Sequence, residues 1–92
     1  MNPIDFDTFS SQARGDGFTE VIERLWAPDT VLATHSHPFS ARGLVVQGQM
    51  WLTVDGRTRA LQRGDGFEVP QGVPHDERYG PEGATVWVAR RH

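Results

Sequence analysis

The chain is expected to be an antiparallel all-β domain, and three observations point there. Short apolar segments recur along it, each ended by Gly, Pro or Asp, with turn signals between them. The pair Asp55-Gly56 stands between two such segments, and its glycine can take the positive φ that a tight hairpin needs. No segment holds a sustained helical period, although residues 6–13 could form a turn or two. Ninety-two residues suffice for one sandwich or barrel of this kind and leave no room for a second domain.

The elements follow in order. A first strand is expected within residues 18–26, closed by the turn Ala27-Pro28-Asp29. Val31 to His37 reads as the second and is broken by Pro38. Gly43 to Gln47 and Gln49 to Val54 follow as two segments that part at Gly48. Across the Asp55-Gly56 hairpin, Arg57 to Leu61 forms the return strand, with Arg57 and Arg59 alternating with Thr58 and Ala60. Arg63-Gly64-Asp65-Gly66 turns the chain into Phe67 to Val69. After a Pro- and Gly-rich loop to Pro74 come His75 to Tyr79, a turn over residues 80–83, and Thr85 to Ala89.

Composition narrows the function classes. The chain is 37% hydrophobic and 23% charged, with Trp26, Trp51 and Trp87 available, which is ordinary for a domain with one core. Its net charge of -3 is mild, and basic residues gather only at Arg90-Arg91, so no nucleic-acid partner is expected. Without cysteine there is neither a disulfide framework nor thiolate chemistry. No apolar run is long enough to span a membrane and no signal-peptide stretch is visible; no membrane partner is expected, and the cytoplasm is the expected location. With no acid ordered beside a His-Ser pair, a hydrolase triad has no support.

The chemistry concentrates on His35, His37 and His75. Residues two apart on a strand share a face, so His35 and His37 can grip one ion while Ser36 turns the other way. Neutral imidazoles suit transition metals, and three of them leave coordination positions open for a ligand. Glu77 lies two residues after His75 and shares its parity. It is the single acidic candidate, as a fourth ligand or as a catalytic proton carrier, although a glutamate near a strand end is ordinarily exposed or salt-bridged. Glu68 is expected at the surface, Gln47 too far along its strand, and Arg42, of opposite parity, directed away from the site. Either Met50 or Trp51 must face the interior, with Trp51 in a packing role. Phe39 is a candidate for the pocket mouth, Tyr79 for a rim donor, and His92 for a disordered end.

These residues resemble the two motifs of the cupin superfamily. The first reads Gly, five residues, His-x-His, three or four residues, Glu, six residues, Gly. Here His35, His37 and Gly48 fill its second half, Ala41 stands in the Glu slot, and Asp29 or a neighbour replaces the opening Gly. The second reads Gly, five residues, Pro-x-Gly, two residues, His, three residues, Asn. Gly64, Pro70, Gly72 and His75 match it in register, and Tyr79 replaces the Asn.

The resemblance runs over residues 18–89, with residues 1–17 as an N-terminal extension of the single domain. It implies a small jelly-roll β-barrel of the conserved-barrel cupin type. It also implies a divalent transition metal (Zn, Fe, Mn, Ni or Cu) on His35, His37 and His75, at a site one carboxylate short. Such a site acts on a small molecule as a dioxygenase or isomerase, or else holds a small ligand in a non-catalytic sensing module. Both readings stay open at this point. A homodimer is expected, because a barrel this small gains stability by covering an exposed sheet edge.

Overall fold

The computed structural model describes residues 5–92. A helix, α1 (Phe6–Gly15), precedes six strands: β1 (Glu20–Trp26), β2 (Val31–His35), β3 (Ser40–Val54), β4 (Arg57–Gln62), β5 (Gly66–Val69) and β6 (His75–Arg91). Every ladder is antiparallel, as the sequence led one to expect.

The long strands β3 and β6 form the spine, paired from Ser40 opposite Arg91 to Val54 opposite His75. Each carries two short strands on its outer side. Along β6, β1 covers the C-terminal half and β2 the N-terminal half. Along β3, β5 covers the N-terminal half and β4 the C-terminal half. The two limbs, β1-β6-β3-β5 and β2-β6-β3-β4, therefore share one pair of strands. Among the described residues no ladder joins the β1/β2 edge to the β4/β5 edge, so backbone pairing alone leaves the six-stranded sheet open.

A bulge marks where the limbs part. β3 inserts residue 46 between Val45 opposite Val86 and Gln47 opposite Thr85, and between Gly48 opposite Ala84 and Met50 opposite Tyr79 a single residue of β3 stands against residues 80–83 of β6. Such a mismatch swaps the faces of a strand. On β3 the buried positions are Gly43 and Val45 before the break, then Met50 and Leu52 after it. The expected turn at residues 80–83 is thus an excursion within one long strand, and the two expected segments of residues 43–54 are one strand. Gly48 has a φ of 80°, and a Cβ there would collide with the Gly83 carbonyl oxygen.

The main core joins Val45, Met50, Leu52, Leu61, Val69, Tyr79, Ala84 and Val86. Met50 is the residue that faces it, and Trp51 lies on the outer side beneath the Arg78 guanidinium, 4.4 Å from its ring centre. Beyond the excursion both faces of β6 are covered. Val86 and Val88 look inward, whereas Trp87 and Ala89 lie under α1. Phe6 meets the Trp87 ring edge-on at 5.2 Å, Phe9 meets it tilted at 6.0 Å, and Ala13 packs with Phe18 and Ala89.

A full helix where a turn or two was expected has a physical cause. Phe6, Phe9 and Ala13 repeat at i, i+3 and i+7, and burial of that stripe supplies stability that so short a helix lacks alone. Asp5 caps its first turn by accepting from the Asp7 amide at 2.9 Å. Arg42 points away from the interior as expected, bonded to Asp16 at 2.7 Å and Glu68 at 2.9 Å, and so ties the end of α1 to the sheet. Among the described residues no helix is long and apolar enough to cross a membrane.

Candidate metal centre

Three segments bring the histidines together. His35 ends β2, His37 lies two residues beyond it, and His75 opens β6 opposite His35. The Pro- and Gly-rich loop is fastened to the His37 segment. The Gly72 amide donates to the His37 carbonyl at 2.9 Å, and the Gln71 amide donates to Ser40 Oγ at 3.0 Å. Gly72 adopts a φ of 80°, which explains glycine at that motif position. Asp29, in the slot of the first motif's opening glycine, also takes a left-handed φ, 58°. Ser36 is exposed on the opposite side.

The rings converge. His35 and His75 have centroids 4.4 Å apart, His35 and His37 4.7 Å, and His37 and His75 5.2 Å. One nitrogen from each lies within 4.8 Å of the others, so the three could hold one ion. His35 Nδ1 is 2.7 Å from the Ala33 carbonyl, and His75 Nδ1 is 3.0 Å from the Val73 carbonyl. Opposite a carbonyl, Nδ1 must donate, so in the neutral ring Nε2 is the nitrogen with a lone pair to offer a metal. Burial, then the neighbouring His35 and His75, holds the His37 pKa below its ordinary value. His37 is thereby kept in the neutral form that ligation requires. Phe39 stacks on His37 at 4.7 Å and 12°, which places it on the pocket wall.

Glu77 lies inside this cluster rather than exposed at a strand end. Its side chain is 13% exposed, and Oε2 stands 3.5 Å from His35 Nε2 and 3.8 Å from His75 Nε2. Oε1 accepts a 2.7 Å hydrogen bond from the Tyr79 hydroxyl. Tyr79 is no rim donor: it is buried and stacked on Trp26 at 4.7 Å. Burial, then the charge of Glu77, raises the Tyr79 pKa far above its ordinary value, so its hydroxyl stays a donor. Glu68 pairs with Arg42 outside, and Gln47 is exposed. His92, expected as a disordered end, is placed with Nε2 3.7 Å from Glu20 and its ring 5.3 Å from Phe39.

Ala41 lines the pocket in the slot of the motif's glutamate, directly across the ladder from Arg90. Arg90 also lines the pocket. Its Nη1 donates to Glu20 Oε1 at 3.1 Å, and its guanidinium lies 4.9 Å from the Phe39 ring centre. Its Nε is buried without a hydrogen-bond partner among the described residues. An orphaned buried donor of that kind costs about 1–3 kcal/mol. Arg24, over Trp26 at 4.6 Å, lines the pocket as well.

Sequence reasoning missed both arginines. The alternation of Val86, Val88 and Arg90 carries the signal for Arg90, which its place beside Arg91 disguises as a terminal charge. The cavity measures about 230 Å³, and Leu32, Phe67, Val69, Val86 and Val88 make its other walls apolar. Among the described residues Glu77 is the only acid that lines it.

Residues 23–89 match the family model described as Cupin domain. No curated protein sequence matches the chain. Among solved structures it is similar to a protein of unknown function from Rhizobium leguminosarum bv. viciae 3841, with a TM-score of 0.73 and 22% identity over 77% of this chain and 67% of that one. An RmlC-like cupin from Shewanella frigidimarina NCIMB 400 gives a TM-score of 0.68 and 25% identity over 78% of this chain and 65% of that one. Oxalate oxidase in complex with the substrate analogue glycolate gives 0.69 and 22% over 77% of this chain and 40% of that one. The likeness carries the fold. This chain spans about two thirds of the length of the first two and well under half of the third.

Proposed function

The chain belongs to the cupin domain family, and from that premise we propose that it is a small metal-binding cupin whose open sheet forms a jelly-roll barrel around one site. In this reading His35, His37 and His75 hold a divalent transition metal, one of Zn, Fe, Mn, Ni or Cu. The observation that carries it is the convergence of three imidazoles, two with Nδ1 tied to a backbone carbonyl. A bound ion of this kind polarises an oxygen of a small molecule.

The chain's own residues would do the rest. Glu77 is the acid–base group: Oε1 is fixed by Tyr79, and Oε2, beside the imidazoles, takes or returns a proton. Phe39 and the apolar wall exclude water from that oxygen. The cavity is smaller than the usual range for drug-sized ligands, so the substrate is a small molecule. Proton relocation on an oxygenated substrate, an isomerase-type reaction, uses this arrangement fully. A dioxygenase reaction would ask of Glu77 only the deprotonation of its substrate.

Metal content tests the reading. Protein purified without a His tag and loaded with each of the five metals should hold about one ion per chain by mass spectrometry. Sub-stoichiometric metal in every case sinks the site. His75→Ala should lose the ion with little loss of fold, and unchanged content would show that His75 is not a ligand. Saturable binding of small molecules without turnover would favour the sensing module instead.

We also propose a homodimer through the β1/β2 edge, where Leu25 and Val31 stand 73% and 68% exposed. A clean monomer by light scattering would count against it.

A further inference from the structure

We infer that the pocket takes a small carboxylate, received by Arg90 over the space that Ala41 leaves at the histidine cluster. The inference rests on the metal reading above and names the ligand class of that site.

Three observations lead there. Ala41 and Arg90 are cross-strand partners on the pocket side of β3 and β6, so the position of the motif's carboxylate is held by a methyl group next to a guanidinium. That guanidinium is already fixed, with Nη1 on Glu20 and its face over Phe39, yet its buried Nε has no acceptor among the described residues. The guanidinium lines the pocket with that donor unsatisfied, and the carboxylate of the family motif is missing beside it.

Charge and shape agree. Against a divalent ion and the guanidiniums of Arg24 and Arg90, the described residues set two carboxylates, Glu77 in the pocket lining and Glu20 on Arg90 Nη1, which leaves a positive excess. A second anion is therefore favoured inside, and a carboxylate can offer one oxygen to the metal and the other to Arg90. Phe67, Val69 and Val88 supply an apolar wall, so the molecule carries a short hydrocarbon or aromatic body behind its acid group. A purely structural Arg90 would tie β6 to β1 through Glu20 and give the pocket no preference for charge.

The test uses the full chain loaded with zinc, with zinc measured in every sample. Calorimetric titrations compare butyrate and benzoate with butyramide and benzamide, which match them in shape without the charge. At least one acid should bind, its amide about 10-fold weaker or more. Arg90→Gln should weaken acid binding by about 10- to 100-fold while zinc content and the weak amide binding stay as they were. Ala41→Glu should refill the space with the chain's own carboxylate, keep or raise zinc affinity, and suppress acid binding by a similar factor. Should Arg90→Gln fail to fold, Ala41→Glu leaves Arg90 intact and decides alone. Acids bound no more tightly than amides, or acid affinity unmoved by both variants, overturns the inference while zinc content remains full. Protein that holds no zinc is titrated with whichever of the other four metals it does hold, and protein that holds none of the five overturns the metal reading, and this inference with it.

Discussion

Tyr79 donates a 2.7 Å hydrogen bond to Glu77, and its ring is stacked on Trp26, so one buried side chain both fills the core and fixes the only acid among the described residues that line the pocket. Tyr79→Phe separates these two roles. The stack survives, and a largely buried carboxylate loses its fixed donor. A hydrogen bond to a charged group is worth about 1.5–3 kcal/mol, so the metal-free protein should lose about that much stability in denaturant unfolding. Unchanged stability would show that solvent satisfies Glu77 without help from Tyr79.

Glu77→Gln asks whether that carboxylate ligates or carries protons. Glutamine keeps the shape and an oxygen that can still accept from Tyr79, but it cannot take a proton. If Glu77 is an acid–base group, metal content stays at the wild-type level, while turnover of any substrate that the wild type converts falls by about 100-fold or more. A large drop in metal content would make Glu77 a fourth ligand instead.

The parts of this site that were legible in the sequence are those set by local spacing. His35, His37 and His75 fall on fixed motif positions, and Asp55-Gly56 makes the β3–β4 hairpin through its own backbone preferences. Glu77 was readable as sharing the parity of His75, but whether that face looked inward depends on the pairing of β6 with β2 and β3. Arg90 was hidden for a similar reason. Its place in the pocket lining comes with lying opposite Ala41, a pairing between distant parts of the chain that no window of neighbouring residues contains. The excursion at residues 80–83 misled in the opposite sense. Its Gly and Pro spell a turn, yet the flanking segments continue as one strand because β3 runs past them unbroken.

Two glycines should separate backbone strain from collision. Gly48 and Gly56 have similar left-handed φ values, 80° and 73°, but the space around them differs. A Cβ at Gly56 meets nothing within 4 Å, whereas at Gly48 it collides with the Gly83 carbonyl across the bulge. Gly56→Ala should cost only the left-handed conformation, about 1–2 kcal/mol. Gly48→Ala adds a backbone displacement and should cost about 2–5 kcal/mol. Equal losses in thermal or denaturant unfolding would mean that the β3–β6 crossing has room to relax.

Trp87 offers the reverse test, a large loss of stability that leaves the site alone. It is 7% exposed, lies under Phe6 and Phe9 of α1, and donates from Nε1 to Glu23 at 2.8 Å. Its neighbours Val86 and Val88 line the pocket on the other face of the strand. Trp87→Ala should therefore cost about 3–5 kcal/mol, a large share of what so small a domain has, and should release α1 from the sheet. Because alternation keeps residue 87 off the pocket, the fraction that remains folded in the cold should bind metal with wild-type stoichiometry. Hydrogen exchange would show the helix amides losing protection first. A loss below about 1 kcal/mol would mean that the aromatic contacts of α1 contribute little to holding the sheet together, and lost metal binding in the folded fraction would mean that the two faces of β6 are mechanically coupled.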